Sequence, residues 1–187
     1  QNRRPSEDEI RGWWAQWPDA NIGVVTGAVS SVDVIDLDAD ENGHLPDWPP
    51  SGHELPEALV VGSPGGGRHH YIKHIPGLKG SIGKVAEHID VRADGDLIVV
   101  PPSRRADGSY KIVVGNFGEA RECEAPPWLR TALLDASSSK NQSTGPTSQG
   151  GSGTEGDLGT IPQGRRHSEF CSLAGTMRRR GMTAEEI

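Results

Sequence analysis

Val32-Asp33-Val34-Ile35-Asp36-Leu37-Asp38 is a β-branched run that ends in two carboxylates. Valine and isoleucine suit a pleated, half-buried surface, so residues 32–37 read as a strand. On a strand, residues i and i+2 share a face about 6.6–6.8 Å apart at the Cα level. Asp36 and Asp38 therefore point the same way. Two carboxylates so placed repel each other unless a cation lies between them. An all-oxygen donor set favours Mg²⁺ or Mn²⁺ over zinc. The plainer alternative is a polar strand end running into the acidic loop at Asp40-Glu41.

Outward from this run the chain reads as short strands joined by turns. Residues 22–25 form a strand closed by Thr26-Gly27, and residues 39–57 are irregular, with Pro46, Pro49, Pro50 and Pro56. Residues 58–62 are a strand, Ser63-Pro64-Gly65-Gly66-Gly67 a loop, and residues 68–73 the returning strand. Two further hairpins are expected. One turns at Asp94-Gly95 between residues 89–92 and 97–100, the other at Asp107-Gly108 before residues 110–114.

Two helices flank these strands. Ser6-Glu7-Asp8-Glu9 reads as a capping box, and Ile10, Trp13, Trp14 and Trp17 follow at i, i+3, i+4, i+7 until Pro18 stops the helix. That spacing predicts a stripe packed on the core, with base stacking as the alternative use of the tryptophans. Pro126-Pro127-Trp128-Leu129 opens a second helix. Residues 137–160 hold 6 Ser and 6 Gly without apolar periodicity, the composition of a flexible linker. Phe170, Leu173, Ala174 and Met177 then repeat at helical spacing, and a last capping box at Thr183-Ala184-Glu185-Glu186 is cut off by Ile187. A helix start with no helix behind it implies a longer natural protein. The expected organisation is a catalytic domain over residues 1–135, a linker over 136–160, and a small helical module begun at 161–187.

Composition excludes several classes. No apolar run approaches ~18 residues, so no membrane span is expected, and the start has no signal-peptide pattern. Cys123 and Cys171 are far apart and outside metal spacing, which fits a reducing cytoplasm and no zinc site. The 19 Lys and Arg against 26 Asp and Glu leave a net charge of −7. Taken alone, that argues against one broad basic surface for nucleic acid. The charge is segregated, however: residues 33–57 hold eight acids and no base, whereas residues 64–105 hold seven bases and four acids.

Two other segments carry chemistry. In Gly65-Gly66-Gly67-Arg68-His69-His70-Tyr71, alternation puts His69, Tyr71 and Lys73 on one face and Arg68, His70 and Ile72 on the other. Glycines can let a phosphate approach backbone N–H groups, though a plain hairpin loop is the simpler use. In Ile89-Asp90-Val91-Arg92, Asp90 stands between apolar residues, an expensive place for an unpaired carboxylate. Either Arg92 pairs with it or it completes a metal site with Asp36 and Asp38. Pro101-Pro102-Ser103-Arg104-Arg105 follows a strand end, as a phosphate contact or a solvated corner. Two apparent motifs fail. Residues 77–84 have five residues between the outer glycines and Val85 where a P-loop needs Ser or Thr. Residues 151–156 match a dinucleotide pattern but lie in the linker with no strand before them.

In order, the three segments resemble the bifunctional primase-polymerase domain of the archaeo-eukaryotic primase superfamily, over roughly residues 11–135. Residues 17–27 look like the segment that leads into that domain. Val34-Ile35-Asp36-Leu37-Asp38 is similar to the metal-holding first motif. Gly66 to Tyr71 is similar to the second, whose phosphate-contacting histidine falls on His69. Ile89 to Gly95 with Pro101-Pro102-Ser103 resembles the third, with Asp90 as the remaining metal ligand. The chain departs from the family at Gly67, where serine is common, and it lacks the helix and strand that usually precede the region of Ser6, which implies an N-terminal truncation or a different start. Residues 161–187 resemble a helical module that commonly links such domains to a helicase.

The resemblance implies an α/β (α+β) fold, a largely antiparallel mixed sheet with covering helices and a primase-like core. It also implies DNA primase or polymerase activity on single-stranded or primed DNA with dNTPs or NTPs. Asp36, Asp38, Asp90 and His69 would be catalytic, the three aspartates holding two Mg²⁺ or Mn²⁺ ions. Gly66, Gly67, Arg68, His69, Tyr71, Lys73, Arg92 and Ser103 would bind nucleotide. The setting implied is the cytoplasm of a prokaryotic cell, in plasmid or phage replication, with a helicase C-terminal to this chain. A non-catalytic nucleic-acid-binding or helicase-tethering module is the second reading, and a metal-dependent glycosyltransferase, which also uses Asp-x-Asp, ranks last.

Overall fold

A computed structural model describes residues 6–138. The expected linker beyond Ser138 and the helical module over 161–187 lie outside the described residues. The element order is α1 (Glu7–Gln16), β1 (Ile22–Val25), β2 (Val32–Leu37), β3 (Leu59–Gly62), β4 (Arg68–Lys73), β5 (Ser81–Ala86), β6 (Ile89–Arg92), β7 (Leu97–Val100), β8 (Arg104–Arg105), β9 (Gly108–Ser109), β10 (Lys111–Gly115), α2 (Phe117–Ala120) and α3 (Pro127–Ser138). Six strands make one antiparallel sheet in the order β10-β3-β4-β2-β6-β5. The fold is therefore mixed α/β with a mostly antiparallel sheet, as expected.

β2 is buried along its whole length because both of its faces are covered. On one face Ile35, Leu37, Ile72, Ile89 and Val91 pack with Leu129 and Leu133 of α3. Each such fully buried leucine contributes about 1.5–3 kcal/mol. α3 runs three residues beyond the expected domain end at 135. On the other face Val32, Val34, Leu59, Val61 and Tyr71 pack with Ile98 and Val100. Asp36 continues the Val32, Val34 column, so the site begins where an apolar stripe turns acidic. Asp33, on the α3 side, is fully buried and accepts hydrogen bonds from Ile75 N (2.8 Å) and His74 Nδ1 (3.0 Å), pinning the chain that leaves β4.

Three expectations are corrected. Residues 89–92 and 97–100 do not pair: β7 pairs with β1, from Ile22 opposite Val100 to Val25 opposite Leu97, while β6 pairs with β2 and β5. The turn at Asp94-Gly95 thus carries the chain from the main sheet to a two-stranded layer above it. Likewise, the turn at residues 106–107 closes only the short β8–β9 ladder, and β10 pairs with β3. The third correction concerns α1. Its capping box forms, with Ser6 N donating to Glu9 Oε2 (2.7 Å) and Glu9 N to Ser6 Oγ (3.2 Å). Yet α1 buries no residue, and Trp13, Trp14 and Trp17 remain 41%, 39% and 50% exposed. Helical spacing puts these side chains on one face, but no surface among the described residues covers that face.

Candidate active site

The antiparallel register gathers the acidic residues. Asp36 on β2 stands directly opposite His69 on β4 and Asp90 on β6, so one row crosses three strands. Directly opposite residues share a face, and all three side chains are buried. His69 Nε2 lies 3.4 Å from Asp36 Oδ1. The Arg92 guanidinium donates to Asp90 Oδ2 at 2.8 Å and lies 3.6 Å from Asp36 Oδ2. Gly83 N donates to Asp90 Oδ1 at 3.0 Å. Asp38 follows the end of β2, its amide held by His88 O at 2.9 Å.

Electrostatics follow from this crowding. Burial pushes the Asp36 carboxyl up to about 6, Arg92 opposes that, and Asp90 adds to it. Asp38 is raised by desolvation and then by the carboxylates of Asp36 and Asp90. Burial drives His69 down to about 4, against the pull of Asp38. The imidazole is therefore neutral at neutral pH, and its buried Nδ1 has no hydrogen-bond partner among the described residues. An orphaned polar atom in a buried ring costs stability unless a ligand satisfies it.

A hard divalent cation fits the chemistry of this donor set, three carboxylates whose charges need a counterion. As the side chains stand, no group of three His, Cys, Asp or Glu among the described residues is closed around one ion. The cation beside these carboxylates is the Arg92 guanidinium, 2.8 Å from Asp90 Oδ2 and 3.6 Å from Asp36 Oδ2. Of the two readings of Asp90, the pairing with Arg92 is the one present, with Asp90 opposite Asp36 in the register.

The remaining sequence-derived residues divide. His70 faces away, its Nδ1 3.1 Å from Pro56 O, so His69 is the histidine in the row. Tyr71 is fully buried against Phe117, its hydroxyl raised by burial and unpartnered among the described residues, and it presents no surface to a nucleotide. Lys73 is at the far end of β4, opposite Val32, with Nζ 2.7 Å from Glu124 Oε1. The Ser103 hydroxyl accepts from Ile22 N at 2.8 Å, tying the third segment to β1. Gly66 N is bonded to Ser63 O, and the carbonyls of Gly66 and Gly67 accept from Arg68. Gly67 is sterically required: a Cβ there would meet Leu37 O at 2.7 Å and Ser63 Oγ at 2.9 Å. Tyr110 was not among the expected residues; its ring centroid is 5.8 Å from that of His69. No sequence spacing links the two, because the fold of β10 onto β3 brings them together.

The family model for the N-terminal domain of bifunctional DNA primase/polymerase matches residues 1–128, a span that contains the whole Asp36, His69, Asp90 row. The chain belongs to the bifunctional DNA primase/polymerase family. No curated protein and no solved structure gives a significant match. Membership makes this a DNA primase/polymerase domain, with DNA and nucleotides as its substrates. No helix of the described domain is long and apolar enough to cross a membrane.

The two perturbed groups in the row make opposite contributions to stability. Asp36, raised in the folded state, adds stability that is full below its unfolded value of 3.8 and lost as pH rises through about 6. His69, depressed in the folded state, adds stability that is full above 6.5 and lost as pH falls toward about 4. They largely cancel in the wild type. His69→Gln removes one side of the balance, so relative to wild type its melting temperature should rise on acidification through this window. Parallel melting curves for the two proteins from about pH 4 to 6.5 would contradict the assignment.

Proposed function

We propose that this domain carries out template-directed nucleotidyl transfer. The observation that carries the reading is Asp36, on a central strand of a primase/polymerase fold, set between Asp90 and a neutral His69 whose Nδ1 is unpartnered among the described residues. In this reaction a 3′-hydroxyl oxygen bonds to the α-phosphorus of a nucleotide, the bond to the β-phosphate breaks, pyrophosphate leaves, and the hydroxyl proton is released. Two Mg²⁺ or Mn²⁺ ions held by Asp36, Asp38 and Asp90 would supply Lewis-acid activation of that hydroxyl and neutralise the leaving group. In the tautomer that carries its proton on Nδ1, His69 would donate to a phosphate oxygen; being neutral, it orients rather than adds charge. Arg92, released from the two carboxylates, turns its planar donors toward the phosphates, where charge accumulates in the transition state. The context proposed is replication of a plasmid, phage or related element, with a helicase acting beside this domain.

Extension of a primed template, and synthesis on an unprimed one, test this directly. Incorporation by wild type and its loss in Asp36→Ala/Asp38→Ala are expected; equal activity in both proteins overturns the assignment. The seat of Arg92 between the carboxylates favours a second reading, a non-catalytic nucleic-acid-binding or tethering module. That reading expects DNA binding without metal and no incorporation under any metal.

A further inference from the structure

A groove of about 340 Å³ lies at the end of the main sheet, beside the acidic row but built from the next row of residues. Lys111 on β10 is opposite Gly62 on β3, Gly62 is opposite Arg68 on β4, and Arg68 is opposite Leu37 on β2. One residue further along, Val61, His69 and Asp36 form the row of the candidate active site. Successive rows face opposite sides of a sheet, so Arg68 and Lys111 share the side away from Asp36. Between them Gly62 has no side chain, and the gap it leaves is the groove; a Cβ there would press on Arg68 Nη1 and Val113 Cγ2, both at 3.3 Å.

The lining has one sign of charge. Among the described residues, Arg68 and Lys111 are its only ionisable side chains, with the hydroxyls of Ser63 and Ser109 beside them and no carboxylate. Neither cation has an ion-pair partner within the described domain. Arg68 is held in place, because its Nη1 donates to Gly66 O (3.1 Å) and Gly67 O (3.0 Å), so the guanidinium is oriented before any ligand arrives. In a chain of net charge −7, two unpaired cations flanking a slot with hydroxyl donors make an anion site. Ser109 and Lys111 flank Tyr110, whose ring lies near His69 on the other side of the sheet.

We infer that this groove is a second phosphate-binding site, with Arg68, Lys111, Ser63 and Ser109 holding phosphate groups at the same end of the sheet but on the face away from Asp36. The inference builds on the nucleotidyl-transfer reading for its biology but not for its test. Phosphates reach such a site from a nucleic-acid backbone or from a nucleotide's polyphosphate tail, and binding measurements separate the two.

The experiment uses the full chain in EDTA, so that no metal site contributes, and compares wild type with Lys111→Glu. Lys84→Glu, the same charge change on β5 at the opposite edge of the sheet, is the control. Lys111 is exposed on an edge strand, so its replacement leaves the fold intact. Binding of a fluorescent single-stranded oligonucleotide by anisotropy should weaken about fivefold or more in Lys111→Glu, and the salt slope should become shallower by about 0.7. That result assigns the groove to the strand backbone. Weaker calorimetric binding of inorganic tripolyphosphate with unchanged oligonucleotide affinity assigns it to the nucleotide tail. No change in either ligand, or an equal loss in Lys84→Glu, overturns the inference. Failure of nucleotidyl transfer itself leaves these metal-free affinities untouched, so the two ideas fall separately.

Discussion

Asp36→Asn is expected to reduce nucleotide incorporation about a thousandfold or more while leaving the fold at least as stable as wild type at neutral pH. Both halves follow from one environment. Asp36 is buried between Asp90 and His69, and burial is the largest influence on its carboxyl, raising it to about 6. At pH 7 the folded protein therefore holds a carboxylate that would be cheaper in water, and only Arg92, 3.6 Å from Oδ2, offsets it. An amide of nearly the same shape removes the buried charge and eases repulsion with Asp90. It also removes the charged oxygens that a divalent cation needs, and the proposed chemistry goes with them. Single-turnover incorporation with Mn²⁺, read beside a thermal melt, checks the pair of outcomes. A variant that melts well below wild type would show that Asp36 is structural; one that retains activity would remove it from the reaction.

The second large effect is on the fold. Gly115→Ala should cost about 3 kcal/mol or more and lower the melting temperature by roughly 10 °C or more. Gly115 closes β10 opposite Leu59 with φ +67°, and a Cβ there would lie 1.6 Å from the carbonyl oxygen of Ala58. That carbonyl also accepts from Asn116 N at 3.1 Å, so it cannot move without opening the end of the β3–β10 ladder. Gly43→Ala is the matched comparison, since its φ is +81° and nothing lies within 4 Å of the added carbon. It should lose only the backbone penalty, about 1–2 kcal/mol. Equal losses in the two variants would mean that the clash relaxes at no cost. Because β10 also carries Lys111 and adjoins Tyr110, Gly115→Ala should weaken oligonucleotide binding at temperatures where the rest of the fold survives.

Particular elements show how far a reading of residues can go. The strand at residues 32–37 and the 59–73 hairpin were legible because β-branched runs, period-two alternation and a glycine turn agree with one another. The same alternation put His69 and His70 on opposite faces, and the resemblance to the family's second motif selected His69. β5 was not legible: Ser81-Ile82-Gly83-Lys84 is largely exposed, contains a glycine, and reaches β6 only through an irregular register. Nor was the partner of β7. Leu97 to Val100 could complete a hairpin with residues 89–92 by pattern alone, but β6 already has β2 and β5 on its two sides. β7 instead pairs with β1, and Ile98 and Val100 cover Val32 and Val34. The tryptophan stripe of α1 shows a different gap, since periodicity states which residues share a face and not whether a surface meets it.

By itself, then, the sequence determined the chemistry available to this domain: an acidic pair at a strand end, a histidine after a glycine turn, and a third aspartate two residues before an arginine. These are local facts, set by residue type and by the two-residue period of a strand. Tertiary structure decided everything that depends on which strands are neighbours. The antiparallel register set Asp36 against His69 and Asp90 in one row, seated Arg92 as the cation between two carboxylates, and left Gly62 as the gap between Arg68 and Lys111. Strand pairing brings together residues tens of positions apart, and short apolar strands of similar composition carry no local mark of their partners; only the closing of two cores around β2 chooses among them.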